Sequence, residues 1–427
     1  MLRPAGAAIV TVILWLAGST LSSSAEPKAN GHWVSVWGAS QYAPFKFIPA
    51  AAEAPIAGTL RMVVRPSIGG ERLRIRLSNT YGASALYIGA VHVALTDTGS
   101  KIVPGTDRVV TFGGSSEIRI PAASPAISDS IDLPVKALSE VSISLYLPSS
   151  VDISTWHRGP QHDSYLAGPG NMTSSLELPK AEIKPAWFFL SALEMWEPMT
   201  TTTTVAFGDS ITEGSNNLPA QYADYPDQLA RRLVEANGGR ATALINEGIG
   251  GNRILHDDAG ASALSRFDQD VLSNPGIANL IVLEGINDIG FPRVRMAELK
   301  IPNANLRENI FASQKVSADE IVQGLQQIAV RAHDHGIRVF CGTLMPFEGT
   351  NSYDVEGEAI RVKVNSWIRA SKVFEGVLDF DVLVRDPDRP TKLRLAFDSG
   401  DHIHPNPAGY KAMADLINLS ELAAAKH

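Results

Sequence analysis

The sequence predicts two units of different class: an all-β, sandwich-like unit over 33–196 and an α/β unit over 200–427. Three observations predict this. Arg72-Leu73-Arg74-Ile75-Arg76-Leu77 and Val141-Ser142-Ile143-Ser144-Leu145-Tyr146-Leu147 alternate strictly, and period two is the signature of a strand with one buried face. After Thr200 short apolar runs alternate with segments of helical spacing, which implies a parallel sheet covered by helices. The length of 427 residues is enough for two cores.

The chain opens with Arg3, the apolar run Ala7 to Ala17, and the small residues Ser23-Ser24-Ala25. That run is too short to span a bilayer comfortably, so 1–25 is read as a cleaved export signal rather than an anchor. In the β-rich unit, Gly69-Gly70, Asn79 to Gly82 and Gly113-Gly114 separate the strands. Arg72, Arg74 and Arg76 are expected on a solvated strand face, with a binding stripe as the alternative. From Thr200 onward, Thr203 to Phe207, Thr242 to Ile245, Leu280 to Leu283, Ile337 to Leu344 and Val377 to Phe380 read as strands. Helices are expected over Pro226 to Ala236 and around Ile360 to Ile368. Another is expected over Ser317 to His333, where Ser317 and Glu320 form a capping box, and a last one over Pro407 to Leu419.

Composition narrows the function. The formal net charge is −8 without any dense Lys/Arg run, which argues against a nucleic-acid partner and against adhesion to anionic lipid. Beyond the first segment no stretch reads as transmembrane, so no stable membrane anchor is expected. The single cysteine, Cys341, excludes an intramolecular disulfide and is expected as a buried, inert strand residue.

Four motifs follow one another in the α/β unit: Gly208-Asp209-Ser210-Ile211-Thr212, Gly248-Ile249-Gly250-Gly251-Asn252, Gly285-Ile286-Asn287-Asp288 and Asp401-His402-Ile403-His404-Pro405-Asn406. Three stand at ends of predicted strands, where open α/β sheets place their sites; the fourth lies on the loop before the last helix. A serine hydroxyl needs a base to become a nucleophile, and His404 oriented by Asp401 fits that role for Ser210. The Ser210 and Gly251 N–H groups and the Asn287 amide are candidate oxyanion donors. Each residue also has a plain structural reading: Ser210 as a helix cap, Gly251 as a turn glycine, Asn287 as a loop-capping amide. Asp209 and Asp288 are read as structural, bonding nearby loop amides. A metal site built from Asp398, Asp401, His402 and His404 is the rival, with His256-Asp257-Asp258 the only other partial cluster. The absence of G-x-S-x-G disfavours a standard α/β-hydrolase elbow.

These four blocks resemble the SGNH, or GDSL-type, hydrolase superfamily, with Ser210, Gly251, Asn287 and His404 at its four named positions. The resemblance covers roughly Thr200 to the C-terminus. It implies a flavodoxin-like α/β/α sandwich, a Ser-His-Asp triad, and neither cofactor nor metal. Arg65-Pro66-Ser67-Ile68-Gly69-Gly70, Leu77-Ser78-Asn79, Asn246 to Arg253 and Leu283 to Asp288 are similar to a secreted subgroup that includes arylesterases/acylhydrolases of xylan-degrading bacteria. His402 departs from that pattern, where many relatives carry Gly. The expectation is a secreted or periplasmic serine esterase acting on short-chain, chiefly acetyl, esters of a small molecule or of plant polysaccharide. The alternatives are a carbohydrate-binding protein with a vestigial catalytic unit, using Trp156, Tyr165 and Trp187, and a sugar O-acyltransferase.

Overall fold

The computed structural model describes residues 30–43, 54–158, 163–216, 221–237, 242–295 and 304–423. The expected export signal, 1–25, lies outside the described residues.

Between Gly31 and Pro198 two antiparallel sheets pack into a common core. One orders the strands Gly31–Gly38, Leu190–Pro198, Gly70–Ser78 and Ile131–Val135. The other runs Glu182–Lys184, Ser164–Ala167, Ile56–Val64, Val141–Val151, Ala90–Thr98 and Lys101–Ile102. Val141, Ile143 and Leu145 turn inward and are fully buried, as their alternation requires. Their polar partners Ser142 and Ser144 are buried as well. The outer face of this sheet is covered by loops held to Arg61, which donates to Ser144 Oγ at 2.8 Å and to the carbonyls of Thr173 and Ser175 at 3.0 and 2.8 Å.

Two expectations for this unit are corrected. The arginines do not form a uniform solvated face or a stripe. Arg72 pairs with exposed Asp132, but Arg74 and Arg76 both grip fully buried Glu194 at 2.6 Å. Arg76 then reaches across to Ser273 of the α/β unit, to Oγ and to the carbonyl, both at 2.9 Å. The sugar-stacking trio fails for a similar reason. Trp156 and Trp187 belong to the core, with Trp187 edge-on to Trp37 at 4.9 Å and its Nε1 donating to Val63 O. Only Tyr165 is half-buried.

The α/β unit is a five-stranded parallel sheet in the order Thr242–Gly248, Thr202–Gly208, Ile277–Leu283, Arg338–Gly342, Gly376–Leu378. In sequence order this is 2-1-3-4-5, the flavodoxin-like winding, with a crevice where the order reverses at the first strand. Its helices form two groups. Tyr225–Asn237 packs on Pro407–Leu416, and Ala318–Asp334 packs on Val355–Ala370 and on the strand Arg338–Gly342. Ser317 and Glu320 close the capping box in both directions, at 3.2 and 2.7 Å. Two ends differ from expectation. Asp379 caps a short helix, Phe380–Val384, so the last strand stops at Leu378. The final helix stops at Leu416, where Ile417 turns extended, and Leu419–Ala423 forms a separate turn of helix. Cys341 is 1% exposed within the sheet, and burial pushes its thiol pKa up.

The two units are sewn together along the edge strand Thr242–Gly248. Leu244 N–H donates to Ser67 Oγ at 2.9 Å, and Thr203 Oγ1 donates to Ser35 O at 2.8 Å. Ala243 and Ile249 are buried in the core of the β-rich unit. An open sheet edge is thereby covered by neighbouring chain.

Candidate active site

Ser210 begins the short helix Ser210–Glu213, directly after the strand Thr202–Gly208. The turn between them depends on Gly208: a Cβ there would meet Thr212 Oγ1 at 2.2 Å and Leu283 O at 2.5 Å. Asp209 caps the helix by accepting the Ile211 N–H at 2.9 Å. Asp209 is fully buried, and that burial, partly countered by the Ile211 N–H, raises its pKa to about 7.

The loop Asp398–Asn406 is fixed at both ends. Asn406 Nδ2 donates to Ala396 O and Asp398 O, while its Oδ1 caps the helix Pro407–Leu416. Between these anchors Asp401 Oδ1 accepts the N–H groups of Ile403 and His404 at 3.1 and 2.9 Å. Asp401 Oδ2 meets His404 Nδ1 at 2.5 Å, and His404 Nε2 lies 2.7 Å from Ser210 Oγ. Burial pushes the Asp401 carboxyl up, but the His404 ring, the His404 N–H and the Ile403 N–H outweigh it and hold it well below the usual carboxylate range. An ionised Asp401 requires the proton on Nδ1, which leaves the Nε2 lone pair facing the serine hydroxyl.

In the loop after Thr242–Gly248 one backbone donor is left over among the described residues. Gly248 N–H goes to Asn246 Oδ1, Ile249 N–H to Gly208 O and Asn252 N–H to Ile249 O, each at 3.0 Å. Gly250 N–H goes to the Glu213 carboxyl. The Gly251 N–H has no acceptor among the described residues, and Gly251 sits at φ +81° with Ala259 and Phe291 close by. The Ser210 N–H, at the first helical position, likewise has none among the described residues. Asn287 follows the strand Ile277–Leu283 through Gly285, at φ +123°. One of its amide hydrogens is spent on Asn252 O at 3.0 Å, which orients the group and leaves the other.

The rival metal quartet divides into two pairs: Asp401 with His404, and Asp398 with His402 at 2.7 Å. Asp288 accepts from Ile254 and Leu255 N–H at 2.7 and 3.0 Å, so it and Asp209 both serve backbone amides. Next to His256, Asp257 accepts the Ser262 N–H at 2.7 Å, and no group of three or more His, Cys, Asp or Glu among the described residues is placed to hold a metal ion.

Sequence reasoning missed the support beneath these residues. Arg266, 2% exposed, donates to Asn252 Oδ1 and Gly208 O at 2.9 Å and to Glu247 O at 2.8 Å. It also meets Asp270 and Glu284, and it reaches Ser40 Oγ of the β-rich unit at 2.9 Å. One guanidinium thus steadies both the turn before Ser210 and the partner of Asn287. Glu247 and Glu284 stand at strand ends among apolar neighbours, and burial raises both carboxyls well above their ordinary values. A carboxylate set in an apolar strand was the available signal; Arg266 gave none. A second missed pair crosses the seam: His157 Nε2 lies 3.5 Å from Glu213 Oε1, with His157 Nδ1 on Ser40 O at 2.7 Å. Asn216 was also missed; its Nδ2 donates to Asp401 Oδ2 at 2.7 Å.

Residues 206–412 match the GDSL-like Lipase/Acylhydrolase family. No curated protein matches the chain. Among solved structures, an acetyl xylan esterase from Geobacillus stearothermophilus is 18% identical, with TM-score 0.37, over 52% of this chain and 96% of that one. A carbohydrate acetylesterase from Sinorhizobium meliloti is 15% identical, with TM-score 0.36, over 50% and 95%. A GDSL-like lipase from Bacteroides thetaiotaomicron is 18% identical, with TM-score 0.35, over 52% and 88%.

Proposed function

We propose that this chain, a carboxylic ester hydrolase whose residues 206–412 match the GDSL-like Lipase/Acylhydrolase family, is an exported serine esterase for short acyl, chiefly acetyl, esters of hydroxylated alcohols such as plant polysaccharide. The observation that carries the mechanism is the unbroken hydrogen-bond line Asp401–His404–Ser210. Ser210 Oγ attacks the ester carbonyl carbon while His404 Nε2 takes its proton. The carbonyl oxygen gains the negative charge and is met by the Ser210 and Gly251 N–H groups and the Asn287 amide. Collapse breaks the bond to the alcohol oxygen, which receives the proton from His404. Water then repeats the cycle on the acyl-Ser210 ester and frees the carboxylic acid. Asp401 stays ionised and stabilises the imidazolium.

Export is supported by the apolar run Ala7 to Ala17 with the small residues that follow it. The preference for acetyl esters rests on the sequence resemblance to arylesterases/acylhydrolases of xylan degraders. Ser210→Ala should lower kcat on para-nitrophenyl acetate by about 10⁵–10⁶-fold and remove fluorophosphonate labelling. Retained turnover in that variant sinks the assignment. A panel of aryl acetate, butyrate and octanoate, beside acetylated xylan, should show falling kcat/KM with acyl length and release of acetate from the polymer.

A further inference from the structure

His402 is held in a sparsely populated backbone conformation. Its φ is +71°, in the left-handed region, which few residues other than glycine enter, histidine being among the more frequent of them. Strain of this kind persists only where the surroundings enforce it, and here the enforcing group is identifiable. Asp398, whose side chain is 7% exposed, accepts the His402 N–H at 3.1 Å with Oδ1 and holds His402 Nδ1 at 2.7 Å with Oδ2. The ring lies against Gly349, where a Cβ would come within 2.7 Å of it. Gly349 is itself at φ +116°, on the loop after the strand Arg338–Gly342. The ring is therefore fixed on the carboxyl-end side of the sheet, the side that carries Ser210 and Asn287. Its side chain is 50% exposed, and Nε2 has no hydrogen-bond partner among the described residues.

The reaction direction says what that nitrogen faces. The acyl oxygen must point at Gly251 and Asn287, and the alcohol oxygen must point at His404 Nε2, which protonates it. The alcohol moiety therefore leaves along the His404 loop. His402 is two residues away on that loop, within about 7 Å along the chain. In the tautomer that gives Nδ1–H to Asp398, Nε2 carries a lone pair that can accept a hydroxyl of that moiety.

We propose that His402 is a specificity-determining residue whose Nε2 accepts a hydrogen bond from a hydroxyl of the alcohol moiety, so that the enzyme selects acetyl esters of polyhydroxylated alcohols. This rests on the serine-esterase reading and deepens it by assigning the residue that recognises the alcohol side of the ester. The Asp398–His402 pair thus repeats the arrangement of Asp401–His404 for binding instead of proton transfer.

The test is a cycle on the full chain. Wild type, His402→Gly and His402→Asn are assayed on a mono-O-acetylated methyl xyloside and on its analogue with the remaining hydroxyls O-methylated. Both variants suit the left-handed backbone, and fluorophosphonate labelling of Ser210 reports an intact site in each. The wild type should prefer the hydroxylated acetate in kcat/KM by about tenfold, one well-made hydrogen bond, and the preference should collapse toward unity in both variants. An unchanged preference in the variants, or none in the wild type, overturns the proposal. Equal losses on both substrates leave the ratio unchanged, mark His402 as a loop-positioning residue only, and overturn it too. Failure of the esterase reading shows separately, as para-nitrophenyl acetate turnover that survives Ser210→Ala, and the proposal falls with it.

Discussion

At the scale of single residues, identical side chains take different work from their surroundings. Asp209, Asp288 and Asp401 all stand in the motifs proposed to carry the reaction. Burial raises Asp209 to about 7 and Asp288 to about 6, while the His404 partnership holds Asp401 low. Only Asp401 meets a histidine ring, so only its loss should strike the proton path. Asp401→Asn should lower kcat by roughly 10⁴-fold, with the histidine left in the wrong tautomer, as measured by steady-state kinetics on an aryl acetate. Asn287→Ala should lower kcat by about two to three orders of magnitude with a smaller effect on KM, because it removes a donor to charge that develops only in the transition state. Equal effects on kcat and on substrate binding would exclude that role for Asn287.

At the scale of elements, what was legible in the sequence was whatever depends on a local pattern. The alternation at Val141 to Leu147 gave its strand, the Ser317–Glu320 box gave a helix start, and Gly208 marked the turn that presents Ser210. The pairing of His404 with Asp401 was legible because three residues on one loop bring them together. What was hidden depends on distant chain. Arg74 and Arg76 read as a solvated face until Glu194, more than a hundred residues on, occupies it. Trp156 and Trp187 read as surface aromatics because no periodicity marks a two-strand ribbon that folds into a core. Arg266 sits in a five-residue helix with no pattern at all, yet it touches four other segments. Removing this buried cation leaves the buried carboxyls and carbonyls around it without their donor. Arg266→Leu should therefore destabilise the protein by roughly 3–5 kcal/mol in urea denaturation, well beyond an average substitution.

At the scale of the whole molecule, the β-rich unit is part of the site's foundation. It covers the edge strand Thr242–Gly248, touches Arg266 through Ser40, and sets His157 against Glu213 beneath the Gly250 N–H. Expressed alone, 200–427 should expose Ala243, Ile249 and an unpaired sheet edge, and should elute from size exclusion as aggregate rather than as a monomer. Elution of an active monomer would contradict this. The seam also sets a pH response. Burial raises Glu213 to about 8 from 4.5, partly countered by the Gly250 N–H. A carboxyl with a raised folded pKa stabilises fully below its unfolded value, and that contribution is lost as pH rises through the folded value. The wild-type Tm should therefore fall relative to Glu213→Gln as pH climbs from about 5 to 8, measured by thermal melts in matched buffers; parallel Tm curves would rule out Glu213 as the source. His157 acts in the opposite direction: burial lowers it to about 4 from 6.5, so its contribution is present above 6.5 and lost as pH falls through 4.

The lone thiol has a use that chemistry at the serine does not touch. Cys341 lies on a strand flanked on both sides, by Ile277–Leu283 and Gly376–Leu378, and no second sulfhydryl competes with it. A disulfide reagent added to the native protein can react only after the sheet parts. The chain thus carries a built-in clock: the rate at which one equivalent of thiol is consumed reports how often the centre of the molecule opens, with no label and no engineered position.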